Sequence, residues 1–559
     1  MRKNVKKQLA LRVLSTAALV AMVSSIATAA FADTYDLNKG SVTVETKEDG
    51  ITYVTQLDNT QKDGYARNDK DDILHDYQDK TGVTITSNGK PTENTITVET
   101  AKDQTTDVTL DNVDIEQPDS YWSSVSAPIE IKGNGDTNLE LNGNNTVLSG
   151  NSDHAGIEKA DVNGTGTLTI KDDLNDKGEE KTGTDEDSTL LAGGYYSGAG
   201  IGGGSYHDGK NYAHTSNITI TGGKITASGG THGAGIGGGS DGTGKNIRIE
   251  GNADVTAFAY DSAGIGSGYQ ASYDSDITIT GNATVTAASE VGSGIGQGLN
   301  ASGKATITIS GNASVNAETF NEHAAIGSGP SSATVNIGDN AAVTAVAPGV
   351  AIGTGYGHKG TSTVINITGG TVNAVTTRGN ESNPAIGTVK GNLDLTINSS
   401  TGKTTVNAYT TSSDPLPLIG TANYYYSSTH KDDSISPSEG AEYNEDGSSH
   451  LGEDNAAIIN FYRNTTLGTD TYDAPKTLDE YAFHATYEAY GTLYNAKHTL
   501  SDKDKGDLTK VVHNRKYMKE HPEIVDDINK LENSDLHDWQ LKGEVVEPTL
   551  EKDGYADYA

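Results

Sequence analysis

The sequence predicts an all-β chain: a right-handed parallel β-helix, or solenoid, followed by a small mixed α+β region. Three observations predict it. An Ala-Gly-Ile-Gly phrase, or a near relative, recurs at Ile201, Ile236, Ile265, Ile295, Ile326, Ile352 and Ile386, with weaker echoes at Ile129, Ile157 and Ile419. Between successive marks run two short segments of alternating apolar and polar residues, as in Ile277-Thr-Ile279-Thr-Gly281-Asn282-Ala-Thr-Val285-Thr-Ala287. A Gly-Asn or Gly-Gly pair separates the two segments in most of them. Self-similarity at a fixed period marks a stacked architecture, and strict alternation marks a strand with one buried face.

Taken from the N-terminus, Arg2, Lys3, Lys6, Lys7 and Arg12 precede an apolar stretch from Val13 to Ala29, and Ala30-Phe31-Ala32 follows. A basic region, an apolar run and a small-x-small site predict a signal peptide over residues 1–32, with Asp33 as the first mature residue. No other segment is long and apolar enough to cross a bilayer, so no transmembrane span is expected after cleavage. The predicted location is secreted or on the cell surface.

Residues 33–81 read as an N-terminal cap with short strand signals at Val42–Val44 and Ile51–Val54. The solenoid is placed at 82–420. Each strand of about four residues is too short to stand alone. Stacked coils bury Ile, Val and Ala on their equivalents above and below, and satisfy the strand backbones from both sides. The Gly-Asn corners supply residues that tolerate positive φ. Roughly ten coils at about 4.8 Å would give a rod near 50 Å long. Right-handedness follows from the preference of parallel β crossovers. Asp172 to Ser188, dense in Asp, Glu and Lys, interrupts the period as a solvated insertion. Residues 421–559 form the α+β region: Ala456–Tyr462 reads as a strand, and Pro522 opens a helix whose Ile524, Val525, Ile528 and Leu531 make a buried stripe.

Composition narrows the function. There are no cysteines, so neither disulfides nor a thiolate metal site hold the exported fold. Asp and Glu outnumber Lys and Arg by 76 to 40, a formal charge of −36, which repels nucleic acid and anionic lipid alike. Sixty-seven glycines beside twelve prolines suit many tight turns rather than collagen.

Between about residues 105 and 410 the chain resembles bacterial secreted and cell-surface β-helix proteins. The carrying residues are Val108-Thr-Leu110-Asp-Asn-Val113, Ala127-Pro128-Ile129, Leu139-Glu-Leu141-Asn-Gly143-Asn144-Asn-Thr-Val147 and the Ala-Gly-Ile-Gly series. It is also similar to carbohydrate-binding β-helix domains described for acidic plant-wall polysaccharides. The resemblance implies the fold and glycan binding. At the C-terminus, His537-Asp-Trp539, Gly543 to Thr549 and Asp553-Gly554-Tyr555 resemble the start of a small cysteine-containing surface repeat, with Leu550 where that repeat has a cysteine.

Gly198-x-Gly200-x-x-Gly203 and Gly233-x-Gly235-x-x-Gly238 spell a dinucleotide fingerprint, but no helical pattern follows either one, so nucleotide binding is not expected. Glu442 to Glu453 has a calcium-loop spacing without flanking helices and reads as an acidic loop, so no metal or other cofactor is expected. Asp71-Asp72 and Asp172-Asp173 lie in charged loops, and His358 and Arg378 lack a guaranteed partner carboxylate. No catalytic residue is therefore assigned. The binding-site candidates are Tyr206, Tyr269 and Tyr356, which follow the Ile-Gly phrase in three coils, with Asp208 and Asp274 beside them. Flat rings and hydrogen-bonding carboxylates suit a sugar chain. The expected function is non-catalytic, adhesin-like binding of a glycan or a host or cell-surface polymer. The alternatives are a structural spacer of a surface layer or matrix, and a polysaccharide lyase or glycosidase.

Overall fold

The computed structural model describes residues 33–57, 73–79, 82–118, 126–173, 188–207, 210–355, 361–377, 383–397, 399–410, 418–421, 457–462, 549–550 and 556–557. The chain is a parallel β-solenoid. Three sheets of twelve, eleven and fourteen strands run along the rod, and each coil contributes one strand to each. In one central coil these are Ser275–Ile279 in the first sheet, Thr284–Ser289 in the second and Ile295–Gly296 in the third. Among the described residues the helical content is a single 3₁₀ turn at Asp161–Asn163.

Register explains why the repeat is so regular. Ile277 pairs with Ile247 and Ile307, Val285 with Val255 and Val315, and Ile295 with Ile265 and Ile326. Like therefore stacks on like, and all of these side chains are buried in one continuous core. Burying an aliphatic side chain of this size contributes about 1.5–3 kcal/mol, so each coil is held mainly by its few inward residues. One slip of register would turn the whole apolar set outward.

The corners divide labour between Gly and Asn, whereas the sequence suggested one role for both. Gly251, Gly281 and Gly311 take the positive φ, at 68°, 74° and 69°, and Asp339 takes it at 58° in the next coil. The asparagines that follow form an amide ladder instead. The Nδ2 of Asn282, Asn312 and Asn340 donates to the Oδ1 of Asn252, Asn282 and Asn312, at 3.1, 3.0 and 3.1 Å.

A second glycine role is stricter. The glycine after each marked Ile (Gly202, Gly237, Gly266, Gly296, Gly327, Gly353, Gly387 and Gly420) has φ between 131° and 142°. A Cβ on any of the first seven would collide with the carbonyl oxygen of its counterpart in the next coil. Only glycine satisfies both the backbone conformation and that close approach.

Parallel pairing starts at Asp33–Asp36 against Val83–Thr86, so the ladders reach into the stretch read as the N-terminal cap. Val42–Thr46 pairs in parallel with Ile96–Thr100 and antiparallel with Thr52–Leu57, which pairs antiparallel with Ile73–Asp79. This antiparallel run finishes one edge of the third sheet, where an open strand would invite pairing with another chain. The acidic insertion leaves the rod at a pinched base: Ser188 donates its backbone N–H to Asp172 at 3.1 Å and its hydroxyl to Asp173 at 2.8 Å. Ile458–Tyr462 extends the second sheet beyond Thr404–Thr410. The expected helix at 522–531 and the acidic loop at 442–453 lie outside the described residues.

Candidate functional site

The chain turns from the second sheet to the third through short loops, near residues 194–199, 229–234 and 260–263 in three consecutive coils, the first two rich in glycine. Stacking places these loops one above another on one edge of the rod. Three rings meet there. The Tyr196 and His232 rings lie 4.9 Å apart, edge to face at 81°, and His232 and Tyr269 lie 4.9 Å apart, tilted by 32°. Such contacts add about 0.5–1.5 kcal/mol per pair beyond burial and hold the rings in fixed orientations.

The backbone supports the arrangement at some cost. Tyr196 has φ 40°, a left-handed conformation that is unusual for a bulky side chain and marks a position worth functional attention. It is held there by the next coil: the His232 N–H donates to the Tyr196 carbonyl at 2.6 Å, and Gly230 leaves room where a Cβ would meet the Tyr195–Tyr196 backbone. Tyr269 comes from the loop after the third sheet. Its N–H donates to the His232 carbonyl at 3.3 Å, its carbonyl accepts from Asp241 N–H at 2.7 Å, and its hydroxyl accepts from Gln270 Nε2 at 2.9 Å.

A carboxylate orients the central ring. His232 Nδ1 donates to Asp261 Oδ2 at 2.6 Å, and the Ser262 hydroxyl bonds the other oxygen at 3.4 Å. Burial pushes the Asp261 carboxyl above its ordinary range, and the His232 and Ser262 hydrogen bonds pull the other way. The neighbouring Tyr260 hydroxyl is also pushed up, first by burial and then by the charges of Glu290 and Asp261. In the tautomer that donates Nδ1–H to Asp261, the Nε2 of His232 is an acceptor. The site therefore offers two tyrosine faces or edges, a fixed imidazole acceptor and a buried acid behind it.

The sequence-derived candidates fall out as follows. Tyr269 belongs to this cluster. Asp274, on the same loop, is exposed and accepts from Lys304 N–H at 2.8 Å, bridging to the next coil. Tyr206 lies in a two-residue strand, Tyr206–His207, paired antiparallel with Lys210–Asn211, and its side chain is outside the described residues. Asp208 and Tyr356 also lie outside them. Sequence reasoning missed Tyr196, His232 and Asp261. Their signal was present: His232 and Asp261 each stand four residues before the marked Ile of their coil, Ile236 and Ile265, and so share one position in the repeat. The two fingerprint-like glycine runs lie on the third sheet and lead into strands Thr215–Ile220 and Gly244–Ile249, not helices. Among the described residues no group of three or more His, Asp or Glu is placed to hold a metal ion, and no helix is long and apolar enough to cross a membrane.

The family model for the beta helix repeat matches residues 218–240, a single coil that runs from the first-sheet strand through His232 to Ile236. No curated protein and no solved structure matches the chain. The repeat match and the three parallel ladders together define a β-helix protein.

Proposed function

We propose that this chain is a secreted or surface-exposed, non-catalytic β-solenoid that binds a glycan or other surface polymer along the edge bearing Tyr196, His232 and Tyr269. The observation that carries the reading is the ring row itself. Three flat groups from consecutive coils are held at fixed spacing, with a hydrogen-bonding atom of His232 set by Asp261. Coils repeat every 4.8 Å or so, close to the length of one pyranose along an extended chain. A rigid rod presents such a row without paying to order it on binding. The predicted leader at residues 1–32 supports export, and the acidic surface supports solubility there.

The His232–Asp261 pair resembles half of a hydrolytic triad, but its surroundings favour binding. The Ser262 hydroxyl bonds Asp261 rather than the imidazole, and Ser262 is fully buried, so it cannot reach a substrate as a nucleophile. The spacer reading draws support from the exposed amide ladder at Asn252, Asn282, Asn312 and Asn340, which stiffens the rod on a different corner.

The test is a soluble-glycan array on the full chain, followed by Tyr196→Ala/Tyr269→Ala. Losing two stacking contacts of about 1 kcal/mol each lowers affinity roughly thirtyfold, with circular dichroism unchanged. Unaltered affinity in the folded double variant removes the site and leaves the spacer reading the stronger. New reducing ends or unsaturated products from any bound glycan would make the chain an enzyme.

A further inference from the structure

We propose that Tyr273 and His214 form a second subsite on the same path, and that the polymer bound is an uncharged glycan carrying hydroxyl or N-acyl groups. The inference rests on the glycan-binding reading above. Tyr273 is the most exposed large apolar side chain among the described residues, at 62 %. It is nevertheless held in place: its ring stands edge to face on His214, 5.2 Å away at 79°. Ladder register sets Thr243 beside His214, since Thr215 pairs with Gly244, and Tyr273 from the coil after that brings its ring to the His214 imidazole.

His214 is read differently from His232. The Thr243 backbone N–H can only donate, and it points at His214 Nδ1 at 3.2 Å. Nδ1 is therefore an acceptor, and the uncharged ring carries its proton on Nε2. Burial also lowers the His214 pKa, against the raising effects of Asp161 and Asp241 and with the help of Lys245. One imidazole thus presents an acceptor and the other a donor, each beside a tyrosine of the same loop. Tyr269 and Tyr273 are four residues apart, so their Cα atoms are separated by no more than about 14 Å. A short run of sugars spans that distance. A donor and an acceptor flanked by rings match hydroxyl and amide groups, which both give and take hydrogen bonds.

The charges around the path decide the ligand class. Asp161 and Asp241 act on His214, against Lys245; Asp261 and Glu290 act on Tyr260 beside His232's partner, and Asp274 follows Tyr273, on a chain of net charge −36. A polyuronate would meet like charge there without an arginine fork to receive its carboxylates.

The experiment titrates the full chain with cellohexaose, N-acetylchitohexaose and hexagalacturonate, then repeats the titration with Tyr273→Ala, Tyr273→Phe and Tyr269→Ala. The expected result is binding of a neutral hexasaccharide, weakened about five- to tenfold by Tyr273→Ala and kept by Tyr273→Phe. If Tyr269→Ala weakens binding and Tyr273→Ala does not, the second subsite is wrong and the glycan reading stands. Preference for hexagalacturonate overturns the ligand class alone. Absence of binding to all three overturns the glycan reading and this inference with it.

Discussion

His323 gives the sharpest test of how the core was built. It lies in the loop before Ile326 and is 1 % exposed, its imidazole filling the space over Gly329, where a Cβ would strike the ring. Burial lowers its pKa from 6.5 to about 4, against the raising effects of a backbone contact at Gln297 and the charge of Glu322. The sign follows from proton counting. Between those two values the unfolded chain binds a proton that the folded chain does not, so the stabilisation is complete above pH 6.5 and is lost as pH falls toward 4. A one-unit shift is worth about 1.4 kcal/mol, so acidifying from pH 7.5 to 4.5 removes about 2.5 kcal/mol through this residue. The assay compares urea midpoints of the parent and His323→Gln at both pH values. The variant starts less stable and loses about 2.5 kcal/mol less on acidification. Solenoids can unfold in segments, so titration of the His323 Cε1–H resonance in the folded chain serves as a local second reading. Equal acid sensitivity of parent and variant, or a resonance titrating near 6.5, refutes the argument.

Other consequences concern the ladders and one ion pair. Ile279→Asp or Ile295→Asp buries an unpaired carboxylate in the apolar core and costs several kcal/mol, read as a large fall in thermal midpoint; unchanged stability would contradict the inward assignment. Gly296→Ala, a single added methyl, costs about 3 kcal/mol or more, because both φ 136° and the approach of the Gly327 carbonyl forbid a Cβ. His154 lies 2.8 Å from Glu158, and although burial alone would lower its pKa, the hydrogen bond and charge of Glu158, with Glu130 and Asp153, raise it. Its contribution is therefore full below pH 6.5 and lost as pH rises through the higher folded value. Glu158→Gln should remove that alkaline loss in a pH series of melting curves.

The sequence makes the fold legible because a solenoid writes one local rule many times. Alternation at Ile277, Ile279, Val285 and Ala287 announces which face is buried, and repetition supplies the register without any long-range guess. The glycines were less transparent. Gly281 and Gly296 look alike in sequence, yet the first takes a left-handed turn conformation that Asp339 adopts two coils on, while the second combines φ 136° with a Cβ position that would overlap the next coil's carbonyl oxygen. Composition does not distinguish the two needs; the backbone conformation and the approach of the neighbouring coil do.

The site was harder to read for a related reason. Stacking brings together residues that are a full coil apart in sequence, so a cluster is visible only along the repeat and never along the chain. The sequence reading followed the tyrosines after the Ile-Gly phrase and found Tyr269, but it did not look at the residues before the phrase, where His232 and Asp261 share a position. Neither is unusual by itself: a lone histidine in a Gly-Gly-Thr-His loop and a lone aspartate in a Tyr-Asp-Ser loop carry no motif. What joins them is the coil spacing, which turns a separation of 29 residues into a hydrogen bond of 2.6 Å. In a solenoid the informative unit for function is thus the column of residues at one repeat position. Columns whose members are irregular, such as that of His232 and Asp261, are where chemistry can be inserted without disturbing the regular columns that hold the rod together.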